Sequence, residues 1–229
     1  MSISNKRHIS KHTYCVKGTA LETKTIMTYL GVDIDNKLNW TAHCSKVKKK
    51  AAQSLGIVQR TLHAAPKACK VTAYTALVRP KLEYATSAWS PQTTGKIKKL
   101  ESIQRKAARF VCKDYRRETD SGELVKQLNW DTLKTRRDTR DSVMWYKIQH
   151  KLVHLPFPMT ITPKPRLGRH DHPAAYLQLQ PQVNAYKYSF FVRTIPLWNG
   201  LPISAITAPT LLSFQRLTLV HMRTWVTLP

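Results

Sequence analysis

The sequence is poor in acidic residues. It contains 13 Asp and Glu against 38 Lys and Arg, which gives a formal net charge of +25. A chain with this imbalance repels itself unless it meets a polyanion, so nucleic acid is the first partner to consider and an anionic membrane surface the second. No apolar run approaches the roughly 18 residues of a membrane-spanning helix, and we expect no membrane partner.

Cysteine is scarce as well. Cys15, Cys44, Cys69 and Cys112 lie far apart in the sequence, and no two of them have the spacing of zinc ligands. We expect free thiols in a reducing intracellular compartment, the nucleus or the cytoplasm. The hydrophobic residues make up 42% of the chain and include six Trp. These are enough to build a core, which argues against intrinsic disorder.

Catalytic motifs are missing too. The sequence has no Gly-rich phosphate loop, no HExxH, no CxxC and no G-x-S-x-G. Asp33 and Asp35 are the one candidate carboxylate pair, because residues i and i+2 of a strand share a face and could bind a divalent metal. With no third acid nearby, we favour a strand that runs into a turn. His170 and His172, on either side of Asp171, also lack further ligands. We therefore predict no catalytic residue and no metal site.

The positive charge is concentrated in the first half of the chain. Residues 1–117 hold 24 Lys or Arg and 6 acids, and between residues 41 and 113 sixteen basic residues face only Glu83 and Glu101. Charged helix surfaces are usually just solvated. Here the repulsion is uncompensated within the segment, and a phosphate backbone would relieve it. We predict sequence-independent contact with RNA, DNA or an RNA–DNA duplex.

Apolar periodicity predicts helices for this basic half. One helix follows Trp40, a second starts near Pro66 and ends or kinks at Arg79 and Pro80, and a short one covers 81–89. The helix predicted for 94–112 separates apolar and basic side chains most cleanly. The candidate nucleic-acid-binding residues on these basic faces are Lys46, Lys49, Lys50, Lys98, Lys99, Arg105, Lys106 and Arg109.

The flanking regions have different patterns. Residues 13–16 and 25–32 are rich in β-branched and aromatic side chains, which predicts short strands in an N-terminal hairpin. A long helix is predicted for 133–152. Its ions occur at four-residue spacing, which favours internal pairs and a scaffold role. The expected pairs are Lys134 with Asp138 and Arg137 with Asp141.

Proline is frequent from residue 156 onward, and periodicity is lost. This predicts a loop-rich extension with short extended segments at 175–179 and 186–193. Its aromatic residues, Tyr186, Tyr188, Phe190, Phe191 and Trp198, are expected to pack onto the helices. The predicted fold class is therefore mainly α, with a short N-terminal β-hairpin, a helical bundle and a loop-rich C-terminal extension with short strands.

Five segments carry a family resemblance. They are 28–40 (TYLGVDIDNKLNW), 73–89 (AYTALVRPKLEYATSAW), 100–110 (LESIQRKAARF), 129–137, with its NW and TRR, and 189–202 (SFFVRTIPLWNGLP). In this order they resemble the part of non-LTR retrotransposon reverse transcriptases that follows the catalytic palm, especially in the jockey and CR1-like groups. The resemblance extends over nearly the whole chain, from about residue 13 to 218.

The resemblance implies a fragment of a polymerase. Tyr29, Leu30 and Gly31 resemble the strand that helps to hold the primer terminus, and the helices after Trp40 resemble the thumb, which grips the template-primer duplex. The family's catalytic palm carries metal-binding aspartates, including a Phe- or Tyr-Ala-Asp-Asp turn that does not occur in this sequence. Mg²⁺ would belong to that palm. We therefore expect no cofactor and no polymerase activity in this chain.

The resemblance also implies a division of the chain. The expected parts are residual palm-end strands (1–38), a basic thumb-like region (39–117), a helical scaffold (118–155) and a Pro- and aromatic-rich extension (156–229). The whole is expected to be a truncated C-terminal part of a larger ancestor that still binds nucleic acid.

Two alternatives stay open. One is a domesticated stand-alone adaptor that binds nucleic acid and docks a protein partner through its C-terminal aromatic segment. A weaker one is a metal-dependent nuclease that uses Asp33 and Asp35.

Overall fold

Helices account for most of the structure, and two small hairpins precede them. The computed structural model describes residues 1, 3, 12–91, 93–155, 161–168 and 171–227. The helices are α1 (Thr41–Thr61), α2 (Lys67–Ala73), α3 (Arg79–Glu83), α4 (Thr94–Cys112), α5 (Ser121–Gln127), α6 (Leu133–Gln149), α7 (Asn184–Lys187), α8 (Phe190–Asn199), α9 (Ile203–Ile206) and α10 (Leu211–Thr227). The prediction of a mainly α fold with a short N-terminal hairpin is confirmed.

The two hairpins are antiparallel. β1 (Cys15–Val16) pairs with β2 (Thr19–Ala20), and β3 (Ile26–Tyr29) pairs with β4 (Val32–Asp35). The prediction of one strand over 25–32 is wrong, because the chain turns back between β3 and β4. Leu30 and Gly31 make that turn with φ angles of 46° and 80°. Two consecutive positive φ angles are those of a type I′ turn, whose twist matches a two-residue hairpin.

Helices α1 and α4 run in the same direction. Near their first turns, the Lys96 ammonium of α4 donates to the carbonyl of Asn39, just before α1. Near their last turns, Lys70, shortly after α1, lies over the ring of Phe110 in α4. The apolar faces of both helices form the first core, together with Val32 of β4. The predicted helix bounds of 94–112 are those of α4.

The chain returns from α1 to α4 through a helical segment that is not regular. α2 is followed by a π-helical turn, Tyr74–Val78, and then by α3. Pro80 is the second residue of α3, which follows the π-helical turn directly. The helix was predicted to end or kink at Arg79 and Pro80, but the chain stays helical through both residues and changes there from π to α geometry. The short helix predicted for 81–89 ends at Glu83, and turns follow.

Helix α6 belongs to two cores. Leu133 at its start lies in the first core with α1 and α4. Trp145 and Tyr146 near its end lie in a second core, to which α8, α9 and α10 contribute Trp198, Ala205 and Phe214 among others. α6 therefore connects the basic half of the chain with the C-terminal extension.

The C-terminal extension is more helical than predicted. Residues 186–193, predicted as extended, lie in α7, α8 and the turn between them, and α10 follows. The helical signal was weak because α8 has Pro196 in its interior. Residues 175–179 contribute a single bridge, from Tyr176 to Pro163. The predicted aromatic packing is confirmed for Phe190, Phe191 and Trp198, which belong to the core around Trp145 of α6, whereas Tyr186 is exposed.

Candidate nucleic-acid interface

Helix α4 carries a row of exposed cations. Side chains about 100° apart on an α-helix place positions 98, 99, 105 and 106 on one face, and Lys113 directly follows the helix as its C-cap residue. Lys98, Lys99, Arg105, Lys106 and Lys113 are all exposed, whereas Leu100, Ile103 and Ala107 on the other face are buried. We call these five cations the α4 stripe. They span roughly 22 Å at about 1.5 Å per residue.

The α4 stripe has no acidic partners in the part of the chain that the structure describes: none of its cations lies within 4.0 Å of a carboxylate oxygen there. Between residues 41 and 113 the sequence has only two acids, and both are buried. Glu83 accepts hydrogen bonds from Arg136 and Arg140 of α6. Glu101 accepts one from the backbone N–H of Lys134, at 2.9 Å. Both acids thus hold α6 in place and leave the stripe uncompensated.

Arg109 shares the face of the stripe but is used differently. Its guanidinium donates to the backbone carbonyls of Asp114, Arg116 and Thr119, at 3.4, 2.8 and 2.7 Å. These bonds order the loop that follows α4. Arg109 therefore supports the loop, and three of its five N–H donors are used for that.

The lysines of α1 fall into two groups. The ammonium of Lys46 lies 2.5 Å from a carboxylate oxygen of Asp33 in β4, whereas Lys49 and Lys50 are exposed. Burial raises the pKa of Asp33, but the hydrogen bonds from Lys46 and Thr28 outweigh it and leave that pKa below its ordinary value. Lys46 therefore holds the hairpin against α1, and Lys49 and Lys50 stay available for a ligand.

The carboxylate pair of β4 is occupied by the protein itself. Asp33 accepts hydrogen bonds from Thr28 and Lys46. Asp35 accepts from the backbone N–H of Lys37 at 2.8 Å and from the amide of Asn39 at 3.2 Å. This is the strand-to-turn arrangement that the sequence favours for both residues.

His43 links the hairpin to the first core. The backbone N–H of Asp33 donates to its Nδ1 at 3.1 Å, and its ring packs edge-on against Trp89 at 4.5 Å. Burial lowers the pKa of His43, although the nearby Asp33 opposes this shift. The neutral imidazole is therefore the form that the structure favours.

The turn predicted to resemble a primer grip is exposed. Tyr29 and Leu30 are 60% and 73% exposed. The Tyr84 hydroxyl donates to the carbonyl of Leu30 at 3.0 Å. The Tyr84 ring is so close to Gly31 that a side-chain Cβ at this position would lie 3.5 Å from it. The turn is thus held beside the end of α3 by a residue 54 positions away. Sequence reasoning did not identify Tyr84, because no local pattern connects it to the hairpin.

The remaining candidate residues have structural partners. Among the described residues, no three His, Cys, Asp or Glu side chains are grouped so that they could hold a metal ion. Asp171 pairs with Lys164 at 2.7 Å, and His172 Nε2 lies 3.0 Å from the carbonyl of Trp198. His170 lies outside the described residues.

All four cysteines have free thiols, as predicted; Cys44 is buried and Cys15 is exposed. Within the described ranges, none of the helices combines the length and the apolar character needed to cross a membrane.

Comparison with known proteins finds no match to this chain among family models, curated proteins or solved structures.

Proposed function

We propose that this chain is the C-terminal portion of a non-LTR retrotransposon reverse transcriptase, and that it binds RNA, DNA or a template-primer duplex without sequence preference. The α4 stripe is the observation that supports this proposal most. Four exposed cations follow one face of α4 and Lys113 lies at its end, while the two acids of the same segment are buried under α6. A phosphate backbone compensates such a row, with Lys49 and Lys50 as further contacts.

The chemistry of the stripe supports binding without sequence preference. Lys and Arg side chains on an exposed face reach phosphate oxygens, and such contacts position a duplex without distinguishing its bases. Neutralising phosphates releases bound counterions, so the affinity falls as salt rises. The expected ligand is therefore any duplex or single strand with a regular phosphate backbone.

In this proposal the chain grips nucleic acid and does not carry out the chemistry. The metal-binding aspartates and their Mg²⁺ belong to the palm, which this chain does not include, and DNA synthesis is not expected from it. The free cysteines fit a reducing compartment, and we place the protein in the nucleus or the cytoplasm.

The adaptor alternative has less support. It requires the C-terminal aromatic segment to present a docking surface. Trp198 is only 2% exposed and, with Phe191, packs against Trp145 in the second core. Tyr186 is the member of that segment with the largest exposure, at 47%.

A salt titration tests the proposed function. The affinity of the full chain for a labelled RNA–DNA duplex is measured by fluorescence anisotropy at rising NaCl. If the five stripe cations neutralise one phosphate each, the plot of log affinity against log salt has a slope of about −4 to −5. We refer to this value as the salt slope. Two duplexes of unrelated sequence should give the same value.

A matched pair of variants assigns the salt slope to the stripe. The triple variant Lys98→Gln, Lys99→Gln, Lys106→Gln should flatten the slope by about 2 to 3. The control Lys126→Gln, Lys147→Gln, Arg216→Gln removes the same charge from α5, α6 and α10 and should leave the slope unchanged. A wild-type slope near zero, or equal flattening in both variants, would contradict the proposed function.

A further inference from the structure

A cleft of 610 Å³ lies beside the last turn of α4. The connection between α1 and α2 forms one wall, and the end of α4 with the following loop forms the other, with α5 at the side. Four basic residues line it: Lys67, Lys70, Lys113 and Arg116. Lys113 is also the last cation of the α4 stripe, so the cleft is where the stripe ends.

Lys70 lies deepest among these cations. It is only 1% exposed, and its ammonium donates to the carbonyl of His63 at 2.9 Å and lies 4.8 Å above the ring of Phe110. Burial and the neighbouring Lys113 lower the pKa of Lys70. An ammonium has three N–H donors, and burying it without an anion is unfavourable.

The acid in the cleft does not compensate Lys70. Asp114 accepts hydrogen bonds from the guanidinium of Arg116 at 2.8 Å and from the Thr119 hydroxyl at 3.0 Å. The Arg116 hydrogen bond is the main reason why the pKa of Asp114 is well below its ordinary value. Among the described residues that line the cleft, three lysines therefore have no carboxylate left to balance them.

We propose that this cleft binds a terminal phosphate of a nucleic-acid strand, with Lys70 at its base and Lys67 and Lys113 at its rim. The inference rests on the proposed function, because the strand that carries the phosphate would follow the α4 stripe to its end. A terminal phosphate monoester carries about −1.5 to −2 charges at pH 7, whereas each internal phosphodiester carries one and is flanked by sugars. The terminal group therefore matches a concave cluster of lysines better than an internal one.

Duplexes with different ends test this assignment. Three short duplexes of one sequence carry a 5′-phosphate, a 3′-phosphate or hydroxyls at both ends, and each is titrated with the full chain. We expect one of the phosphorylated duplexes to bind about tenfold more tightly than the hydroxyl duplex, as one or two charge-assisted hydrogen bonds would produce. Equal affinity for all three would overturn the assignment.

Lys70→Met removes the ammonium but keeps an unbranched stem over Phe110. It should abolish the preference for an end phosphate and leave the salt slope unchanged, whereas the triple variant in the α4 stripe should flatten the slope and keep the preference. The two proposals therefore fail in different measurements. Lys67→Gln, at an exposed position where folding is not at stake, should weaken the preference severalfold, and Lys126→Met in α5 is the matched control. A preference that survives both cleft variants would overturn the assignment.

Inorganic phosphate distinguishes a strand end from the free ion. Added at constant ionic strength against chloride, it should compete for the cleft and remove the preference between duplex ends. Saturable binding of inorganic phosphate without any preference between duplex ends would assign the cleft to free phosphate and contradict the strand-end proposal.

Discussion

The guanidinium of Arg193 in α8 pairs with the buried carboxylate of Asp141 in α6, with Nε 2.9 Å from Oδ2. The same guanidinium donates to the carbonyls of Thr86 and Ser87, at 3.1 and 2.8 Å. One side chain thus connects the C-terminal extension, α6 and the turn after α3. Burial raises the pKa of Asp141, and Arg193 counteracts this shift.

Arg193→Met should lower the free energy of unfolding by about 3–5 kcal/mol, because Asp141 would stay buried without its cation. Urea denaturation followed by Trp fluorescence measures the loss. Arg223→Met is the matched control, since the Arg223 side chain in its pair with Asp131 is 54% exposed. Its cost should stay below about 1 kcal/mol. Equal losses in the two variants would contradict a special role for the buried pair.

Glu83→Gln separates folding from nucleic-acid binding. It leaves Arg136 and Arg140 without their shared buried carboxylate, and the expected loss of stability is about 3 kcal/mol. The salt slope, measured at a temperature where the variant is folded, should not change, because Glu83 is not near the ligand in the proposed function. Glu118→Gln removes the same charge from an exposed position and should affect neither quantity. A changed salt slope in folded Glu83→Gln would place this residue in the interface instead.

His43 should make stability depend on pH. Burial holds its folded-state pKa below the ordinary 6.5, so the unfolded chain binds more protons in this range. The contribution is fully present above pH 6.5 and is lost as the pH falls toward the folded-state value. The expected slope is at most about 1.4 kcal/mol per pH unit.

Urea denaturation between pH 7.5 and 5.5 measures this dependence. His43→Gln should reduce it, because Gln does not titrate. His154→Gln, at an exposed position, should leave it as in the wild type. If the dependence is the same in all three proteins, the group responsible is not His43.

Leu30→Asn should stabilise the second hairpin. Leu30 adopts a φ of 46° next to Gly31 at 80°, and Asn-Gly is the preferred pair for a type I′ turn. The gain should be a few tenths to about 1 kcal/mol. Leu30→Val, with a β-branched side chain at the same position, should destabilise. Hydrogen exchange of the β4 amides and urea denaturation measure both effects, and the opposite order of the two variants would contradict the turn assignment.

Helices with one apolar and one charged face were predictable from the sequence. Residues 94–112 alternate buried and exposed side chains at helical spacing, and the predicted bounds are those of α4. Four-residue spacing does not predict ion pairs between residues that are far apart in the sequence. The predicted pair of Lys134 with Asp138 forms at 2.7 Å, but the predicted pair of Arg137 with Asp141 is wrong. Arg137 is buried, and its terminal nitrogens have no hydrogen-bond partner among the residues that the structure describes. Asp141 pairs with Arg193, 52 residues away.

The exposed cations of the candidate interface were predictable from the sequence, but their contacts were not. Exposure of Lys49, Lys50 and the α4 stripe follows from the helical pattern. The helical pattern does not predict that Lys46 and Arg109 are already hydrogen-bonded within the protein. Their partners lie outside the helices, in a hairpin and in a loop. Lys70 was not identified either, since a lysine on a short helix gives no sign of burial until α4 packs over it.

The shared position of α6 limits where this chain can be shortened. Trp145 is fully buried and Tyr146 is 3% exposed, and both rings are covered by residues of α8 to α10. A deletion that removed everything after residue 155 would uncover two large aromatic rings on the helix that also holds Glu83 and Glu101. The extension therefore covers the end of α6, the helix that buries both acids of the basic half, and an expressible form of the α4 stripe must include it.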